Sequence, residues 1–424
     1  MKVLLRDTRV QRLLLANTLG SIGSGITIFS VPWLLVHRPG GSEAYRWATL
    51  ATTLVLFAFM PAYGAWLDRH SRKTALLASE AWGLLATTSM AGLGLALGGF
   101  SSWQLMTIYF CGMCYYTLHY PAKFAFIQQI FDRSHYQSLV GLLEIQGQTA
   151  MMISGGLGGI LVERIPLWLI LMIDATTYAA SFVLQAGLPY QATHLEPRAA
   201  AQVGNVSATA KPSGLWHGVV EGWRWLQARP QLMLFLTCSL MPFVVVMVSN
   251  YLFPVYVAQT LRAGPKVFAG GEIAFALGAI AAGALLPRLL ARASAATTVP
   301  GTMLVFLAGM VVLIVLRHPL IYLVAGVLLG FGNAGSRVAR SALMLHTVPI
   351  DVMGRVGIFY NVLDRLLRTV LVGSMVIVDW WGPPAGFLLL FAIMLAALAG
   401  VYASRAAIGE PGQPAPAAAS ARSP

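Results

Sequence analysis

Twelve apolar runs, each near the length that crosses a bilayer, constrain this chain more than any other feature. They cover residues 13–36, 48–67, 74–98, 103–127, 139–162, 166–188, 232–258, 271–292, 298–316, 319–345, 356–378 and 384–404. A spanning helix needs about 20 apolar residues. Hydrocarbon offers no water to backbone N–H and C=O groups, so each run must satisfy them internally as an α-helix. A β-barrel would instead show weaker segments of alternating hydrophobicity. The expected fold class is therefore an all-α polytopic membrane protein with 12 transmembrane helices. Composition agrees: 57% of the 424 residues are hydrophobic and 10% charged, against about 25% charged in soluble domains. That argues against a soluble enzyme or a disordered chain. The net charge of +13 is carried by residues that punctuate the apolar runs. It therefore points to a membrane topology and not to a nucleic-acid partner.

Cys111, Cys114 and Cys238 lie inside apolar runs and make no disulfide framework. The Cys111-Gly-Met-Cys114 spacing is metal-like, but no second Cys/His pair accompanies it, so plain packing is expected, with no metal and no cofactor. The first run is too long for a signal peptide and lacks a clean cleavage site. No Gly-x-x-x-x-Gly-Lys phosphate loop occurs, which removes support for ATP-driven transport. No catalytic triad stands out, and the expectation is a protein that is not an enzyme.

The chain divides into residues 1–188, a six-helix bundle; 189–230, a linker; 231–404, a second six-helix bundle; and 405–424, an Ala- and Pro-rich tail expected to be disordered. The linker is rich in Ala, Ser, Thr and Gly, and its end, 215–226, reads as a short amphipathic helix with Trp216, Trp223 and Trp225 suited to a membrane interface. With both termini cytoplasmic, 17 of the 28 Lys and Arg fall in cytoplasmic segments, 6 in outer loops and 5 inside helices. That bias favours this orientation.

An internal repeat supports two halves. Gly64-Ala-Trp-Leu-Asp68-Arg69-His-Ser-Arg72-Lys73 follows the second run, and Gly283-Ala-Leu-Leu-Pro287-Arg288-Leu-Leu-Ala-Arg292 follows the eighth, at an offset of 219. Ala122-Lys123 and Ala339-Arg340 repeat at an offset of 217. Parallel repeated halves suit a secondary transporter.

On these residues the chain resembles the major facilitator superfamily. Gly64, Asp68, Arg69, Arg72 and Lys73 match its signature loop, which the resemblance makes a cytoplasmic gate that latches the outward-open state. Ser71 stands where the family has a second Gly. Within the superfamily the chain is similar to the enterobactin-exporter subfamily. The segments that carry this are Glu221-Gly-Trp-Arg-Trp-Leu-Gln-Ala-Arg-Pro230, Val348-Pro-Ile-Asp-Val-Met-Gly354-Arg355-Val356, and the first run from Gly23-Ser24-Gly25 to Val31-Pro32-Trp33-Leu34. Two departures matter. Ser24 stands where relatives often have an acid, and Ala150-x-x-x-Ser154-Gly155-x-x-Gly158-Gly159 lacks the Pro of the antiporter pattern. Its small residues still permit close helix contact.

Ionisable groups inside a membrane cost several kcal/mol, which makes each a functional candidate. The resemblance implies that the first, fourth, seventh and tenth runs line a central cavity. In the fourth, Tyr116, Tyr120 and Lys123 share one face, with His119 beside it. The seventh offers Asn250 and Tyr251. The tenth offers Asn333, Arg337, Arg340 and Ser341, and the eleventh offers Asn361, Asp364, Arg365 and Arg368. The substrate-binding candidates are Tyr116, Tyr120, Lys123, Asn250, Asn333, Arg337, Arg340, Asn361 and Arg365. Arg forks suit carboxylates, so the expected substrate is a small anion. Against this, Arg337, Arg340 and Arg368 could snorkel or pair near helix ends, and Asp364 and Arg368, one turn apart, could form a structural pair. Glu144 and Asp364 are the proton-coupling candidates. Glu80 is expected to make an ion pair in the latch, Asp174 to hydrogen-bond structurally, and Glu272 to sit near the outer surface as a helix N-terminal dipole partner.

The resemblance implies an inner-membrane exporter, expected to be monomeric, that carries an anionic siderophore by proton-coupled alternating access. A multidrug or macrolide exporter and a lysophospholipid flippase are the alternatives. Pro121-Ala122-Lys123-Phe124 resembles the flippase group.

Overall fold

The computed structural model describes residues 6–131, 136–190, 215–290 and 293–408. All regular structure in them is helical. The helices are α1 (Thr8–Val36), α2 (Gly41–Arg69), α3 (Arg72–Ala96), α4 (Ser102–Ile130), α5 (Tyr136–Arg164), α6 (Leu167–Ala186), α7 (Leu215–Gln227), α8 (Pro230–Val255), α9 (Pro265–Leu290), α10 (Ala295–Val315), α11 (Pro319–Thr347), α12 (Ile350–Ser374), α13 (Ile377–Trp381) and α14 (Pro383–Ser404). A π-helical turn, Tyr256–Thr260, follows α8 just after Pro254. Seven of the described helices are long and apolar enough to cross a membrane by length and composition alone. The tail from 409 onward and the middle of the linker lie outside the described residues.

Local chemistry sets the helix starts. Asp7 caps α1, accepting the Arg9 N–H at 2.8 Å. Ser71, the signature-loop departure, caps α3 by accepting the Thr74 N–H at 3.3 Å. Ser101 and Gln104 form a capping box on α4. Pro230, Pro319 and Pro383 occupy first-turn positions, where a missing N–H costs nothing.

Packing runs mainly within two sets of helices. Before the linker, α1 packs on α2, α4, α5 and α6, and α3 packs on α4 and α6. After it, α11 packs on α8, α9 and α10, and α14 packs on α8 and α10. The α9–α11 approach is very close. A Cβ at Gly278 would overlap the Val327 carbonyl, and one at Gly330 would overlap the Phe275 carbonyl. Backbone cannot swing aside as a side chain can. We expect Gly330→Leu to lower stability by about 3 kcal/mol, the upper range of core overpacking. Thermal unfolding in detergent would read this, and an unchanged midpoint would contradict it.

Alternation of the helices gives the molecule two ends. The near end holds Thr8, Ala186 at the end of α6, Leu215 at the start of α7 and Ser404. The far end holds the α1–α2, α3–α4 and α5–α6 connections of the first set and the α8–α9 and α10–α11 connections of the second. At the far end the sets meet. Phe29 stacks on Phe268 with centroids 4.5 Å apart, and Trp33 covers the same ring at 5.9 Å. Tyr45 packs on Tyr251 at 5.4 Å. Gln259 donates to Ser42 at 2.7 Å, and Lys266 pairs with Glu163 at 2.9 Å. The small residues of α5 make this approach possible. A Cβ on Gly159 would overlap that of Ala269 and come within 3.0 Å of the Pro265 carbonyl, and one on Gly158 would meet the Phe29 ring. Among the described residues, α4 and α11 share no extended packing.

The amphipathic α7 docks on α12. Glu221 pairs with Arg355 at 2.8 Å, Gly222 lies against the Arg355 carbonyl, and Trp223 packs on Phe359. Exposed tryptophans mark both ends: Trp47, Trp103, Trp380 and Trp381 at the far end, Trp66 and Trp223 at the near end.

Candidate functional site

Between α5, α8, α9 and α11 lies a cavity of about 760 Å3, counting its open mouth. The far-end contacts form its floor, where the Asn250 carbonyl accepts a bond from Tyr45 at 3.4 Å. Its walls are aromatic and aliphatic, from Phe243 and Phe253 on α8, Phe275 on α9 and Leu329 on α11. Polar groups enter from three sides. Asn333 and Arg337, one turn apart on α11, share one wall; Glu272 of α9 and Gln148 of α5 face the same space. The Asn333 Oδ1 is buried and accepts no hydrogen bond. A buried acceptor left bare costs about 1–3 kcal/mol, so a ligand donor placed there would recover that cost. Such a chamber, mostly apolar with a few convergent polar groups, is the usual form of a small-molecule site.

Of the nine substrate-binding candidates, Asn250, Asn333 and Arg337 line this cavity. The other six do not. Tyr116 bonds Ser24 at 3.0 Å within the first set, and Tyr120 is exposed with the Lys123 ammonium 5.0 Å from its ring centre. Arg340 and Arg365 sit close enough to Asp364 to feel its charge. Asn361 is exposed on α12. The Asp364–Arg368 pairing is present: Nε donates at 2.9 Å and a second nitrogen donates to the other oxygen. The Arg368 guanidinium also lies 4.9 Å from the centre of Phe243, so this pair backs the cavity wall without entering it.

The gate candidates divide in the same way. The surroundings of Gly64 and the side chains of Asp68, Arg69 and Glu144 lie outside what the structure describes. Arg72 donates to the Ala125 carbonyl at 2.9 Å, and Lys73 donates to the carbonyls of Ala186 and Leu188 at 2.6 and 2.7 Å. Both bind carbonyls at or near helix C-terminal ends within the first set, where cations are favoured by the helix dipole. Lys73→Ala is expected to cost about 1 kcal/mol of stability, read as a small drop in unfolding midpoint. A loss beyond twice that would mean Lys73 does more than hold α6.

Two acids sit elsewhere than the sequence suggests. Glu80 makes no latch pair with Arg72 or Lys73; it is fully buried against Ser181 and Gln185 of α6. Glu272 is not at a helix start. The helix begins at Pro265, because Gly270 and Gly271 are packing positions against Leu323 and Tyr322 and not breakers. Asp174 does bond structurally, accepting from Thr27 at 2.6 Å. Cys111, Cys114 and Cys238 are half-buried free thiols.

A bundle of long apolar helices closed at one end around a polar-studded chamber defines a multi-pass membrane carrier. The model of the Major Facilitator Superfamily matches residues 13–371, and the chain belongs to that superfamily. It is 22% identical over 403 residues to the uncharacterized MFS-type transporter YfiS of Bacillus subtilis, covering 91% of each chain. It is 23% identical over 305 residues to the multidrug efflux pump Tap of Mycobacterium tuberculosis, covering 68% of each. The nucleoside transporter NupG shares the fold, with a TM-score of 0.65 at 13% identity, covering 94% of this chain and 99% of that one. A bacterial homologue of the iron transporter ferroportin in its inward-facing state gives 0.62 at 16% identity, covering 94% of this chain and 97% of that one.

Proposed function

We propose that this chain is a secondary exporter of small amphipathic molecules that carry an acidic group, working by proton-coupled alternating access in a bacterial inner membrane. The carrying observation is the cavity: Arg337 supplies a cation, Asn333 a bare acceptor, and aromatic walls a surface for rings. Two six-helix bundles, 1–188 and 231–404, rock about this site as a monomer, with the linker and both termini in the cytoplasm. In that orientation the far-end closure corresponds to a conformation open to the cytoplasm, ready to load. Arg337 holds the substrate anion. Glu144 and Asp364 are the acids by which the sequence would couple protons, since a proton on Asp364 would loosen Arg368.

A siderophore bearing carboxylates or catechols fits this chemistry and is the first substrate to test. A multidrug exporter is the second reading. It is favoured by Glu272, an acid facing the same chamber, which a polyanion would not welcome, and by the likeness to an efflux pump. One experiment separates them. Small metabolites inside and outside a deletion strain and its parent are compared by mass spectrometry under iron limitation, and drug sensitivity is scored alongside. Chelators trapped inside, released by the wild-type gene, support siderophore export. Unchanged chelators with raised drug sensitivity support the second reading. No change in either removes both.

A further inference from the structure

The first set of helices holds a polar column that the cavity does not use. Asp174, Tyr178, Ser181 and Gln185 recur on one face of α6, and all four are buried. Glu80 of α3 meets this face: its Oε1 accepts from Ser181 at 2.8 Å, Gln185 at 2.9 Å and Tyr115 at 3.4 Å. His119 of α4 stands 3.4 Å from the same oxygen through Nδ1, which also contacts Ser79 at 3.1 Å. Its Nε2 reaches Asn17 of α1 at 3.4 Å. Asp174 lines a second, smaller and shallow pocket together with Thr27, Thr87 and Tyr178.

Three buried groups in this column have bare atoms. Glu80 Oε2, Asp174 Oδ1 and Gln185 Oε1 make no hydrogen bond, although Glu80 is 0% and Asp174 1% exposed. His119 stands within ion-pair distance of Glu80, and the charge of Lys123 acts on Glu80 from further away. From α4 the column faces His119, Tyr115 and Tyr116, with Lys123 one turn beyond; from α6 it faces Tyr178; from α1 it faces Asn17 and Thr27. Carboxyls placed so deep, each satisfied on one oxygen and bare on the other, are expensive and therefore functional by default. A bare carboxyl oxygen can accept a proton.

We propose that Glu80, with His119 and Asp174, forms a proton-binding site within α1, α3, α4 and α6, separate from the chamber that holds the substrate. This rests on the proton-coupled reading above and moves the coupling from Glu144 and Asp364 to this column. A proton added to the Glu80 carboxylate makes a neutral acid and loosens its hold on His119. His119 passes the change to Asn17 on α1. The same helix carries Phe29 and Trp33, which close the far end on Phe268. Proton and substrate thus occupy different halves, and α1 connects the site to the gate.

The test needs no identified substrate. The three native cysteines are replaced by serine, and nitroxide labels are placed at Leu97 and Leu320, exposed far-end positions on the two sets. Pulsed EPR distances in liposomes are then read across about pH 5 to 8, the range over which a histidine changes charge. The wild-type distribution should move with pH. Glu80→Gln should hold the low-pH distribution at every pH, Asp174→Asn should shift the midpoint, and Glu43→Gln, at an exposed acid outside both the column and the chamber, should leave the response intact. A wild-type response that survives both Glu80→Gln and Asp174→Asn overturns this site but keeps proton coupling. A wild-type distribution indifferent to pH overturns both.

Discussion

Arg337→Ala should abolish rescue of the deletion strain while leaving the protein folded and in the membrane. Arg337 lines the chamber, whereas Lys123, Arg340, Arg365 and Arg368 do not. A hydrogen bond to a charged group contributes about 1.5–3 kcal/mol. At about 1.4 kcal/mol per decade, its loss weakens substrate binding roughly ten- to hundred-fold. Arg337→Lys keeps the charge but loses the planar fork, so it should recover part of the effect for a carboxylate substrate. Arg365→Ala is the control, because it removes an equal charge from outside the chamber. If Arg365→Ala proved as damaging as Arg337→Ala, the binding site would extend along α12 and the present assignment would be wrong.

Gly159→Val should act on conformation, not on binding. The added side chain meets Ala269 and the Pro265 carbonyl across the far-end contact. Overpacking of this kind costs about 1–3 kcal/mol, and it falls only on the state in which α5 and α9 touch. A coupling of that size shifts populations roughly 5- to 150-fold. The expected result is a protein depleted in the far-end-closed state. Cysteines placed at 163 and 266, where Glu163 and Lys266 now pair, should cross-link readily in a cysteine-free background and poorly once Gly159→Val is added. Equal cross-linking in both would show that α5 yields without opening the gate.

How far the fold can be read from the chain follows from what kind of contact holds each part. Apolar length alone announces a helix, and the amphipathic segment that begins at 215 ends within a residue of its expected end. The starts differ where a helix projects beyond its apolar run. Thus α2 begins at Gly41, taking in Glu43 and Arg46, and α9 begins at Pro265. That last shift hides Glu272, since Gly270-Gly271 looks like a terminus until Leu323 and Tyr322 are seen filling the space above it. The Asp364–Arg368 pair is legible because it is local, one helical turn. Glu80 is not, because Ser181 and Gln185 lie about a hundred residues away and no spacing rule connects them. The facing of the α11 arginines is half legible: a stripe on a helix is plain from its period, but which neighbour it meets depends on the crossing with α8 and α9.

The exposed tryptophans carry a consequence for the lipid. Trp47 and Trp103 belong to one set of helices, Trp380 and Trp381 to the other, and all stand at the far end. Indole rings favour the headgroup level, so each half is moored to the same leaflet on its own. A tilt of one half against the other then lifts or sinks its mooring, and the bilayer must thin, thicken or pucker to follow, at fractions of a kcal/mol per Å. Under the rocking motion proposed above, acyl-chain length becomes a variable in the balance between open and closed states, and a thicker bilayer would act on this protein as an effector without a binding site.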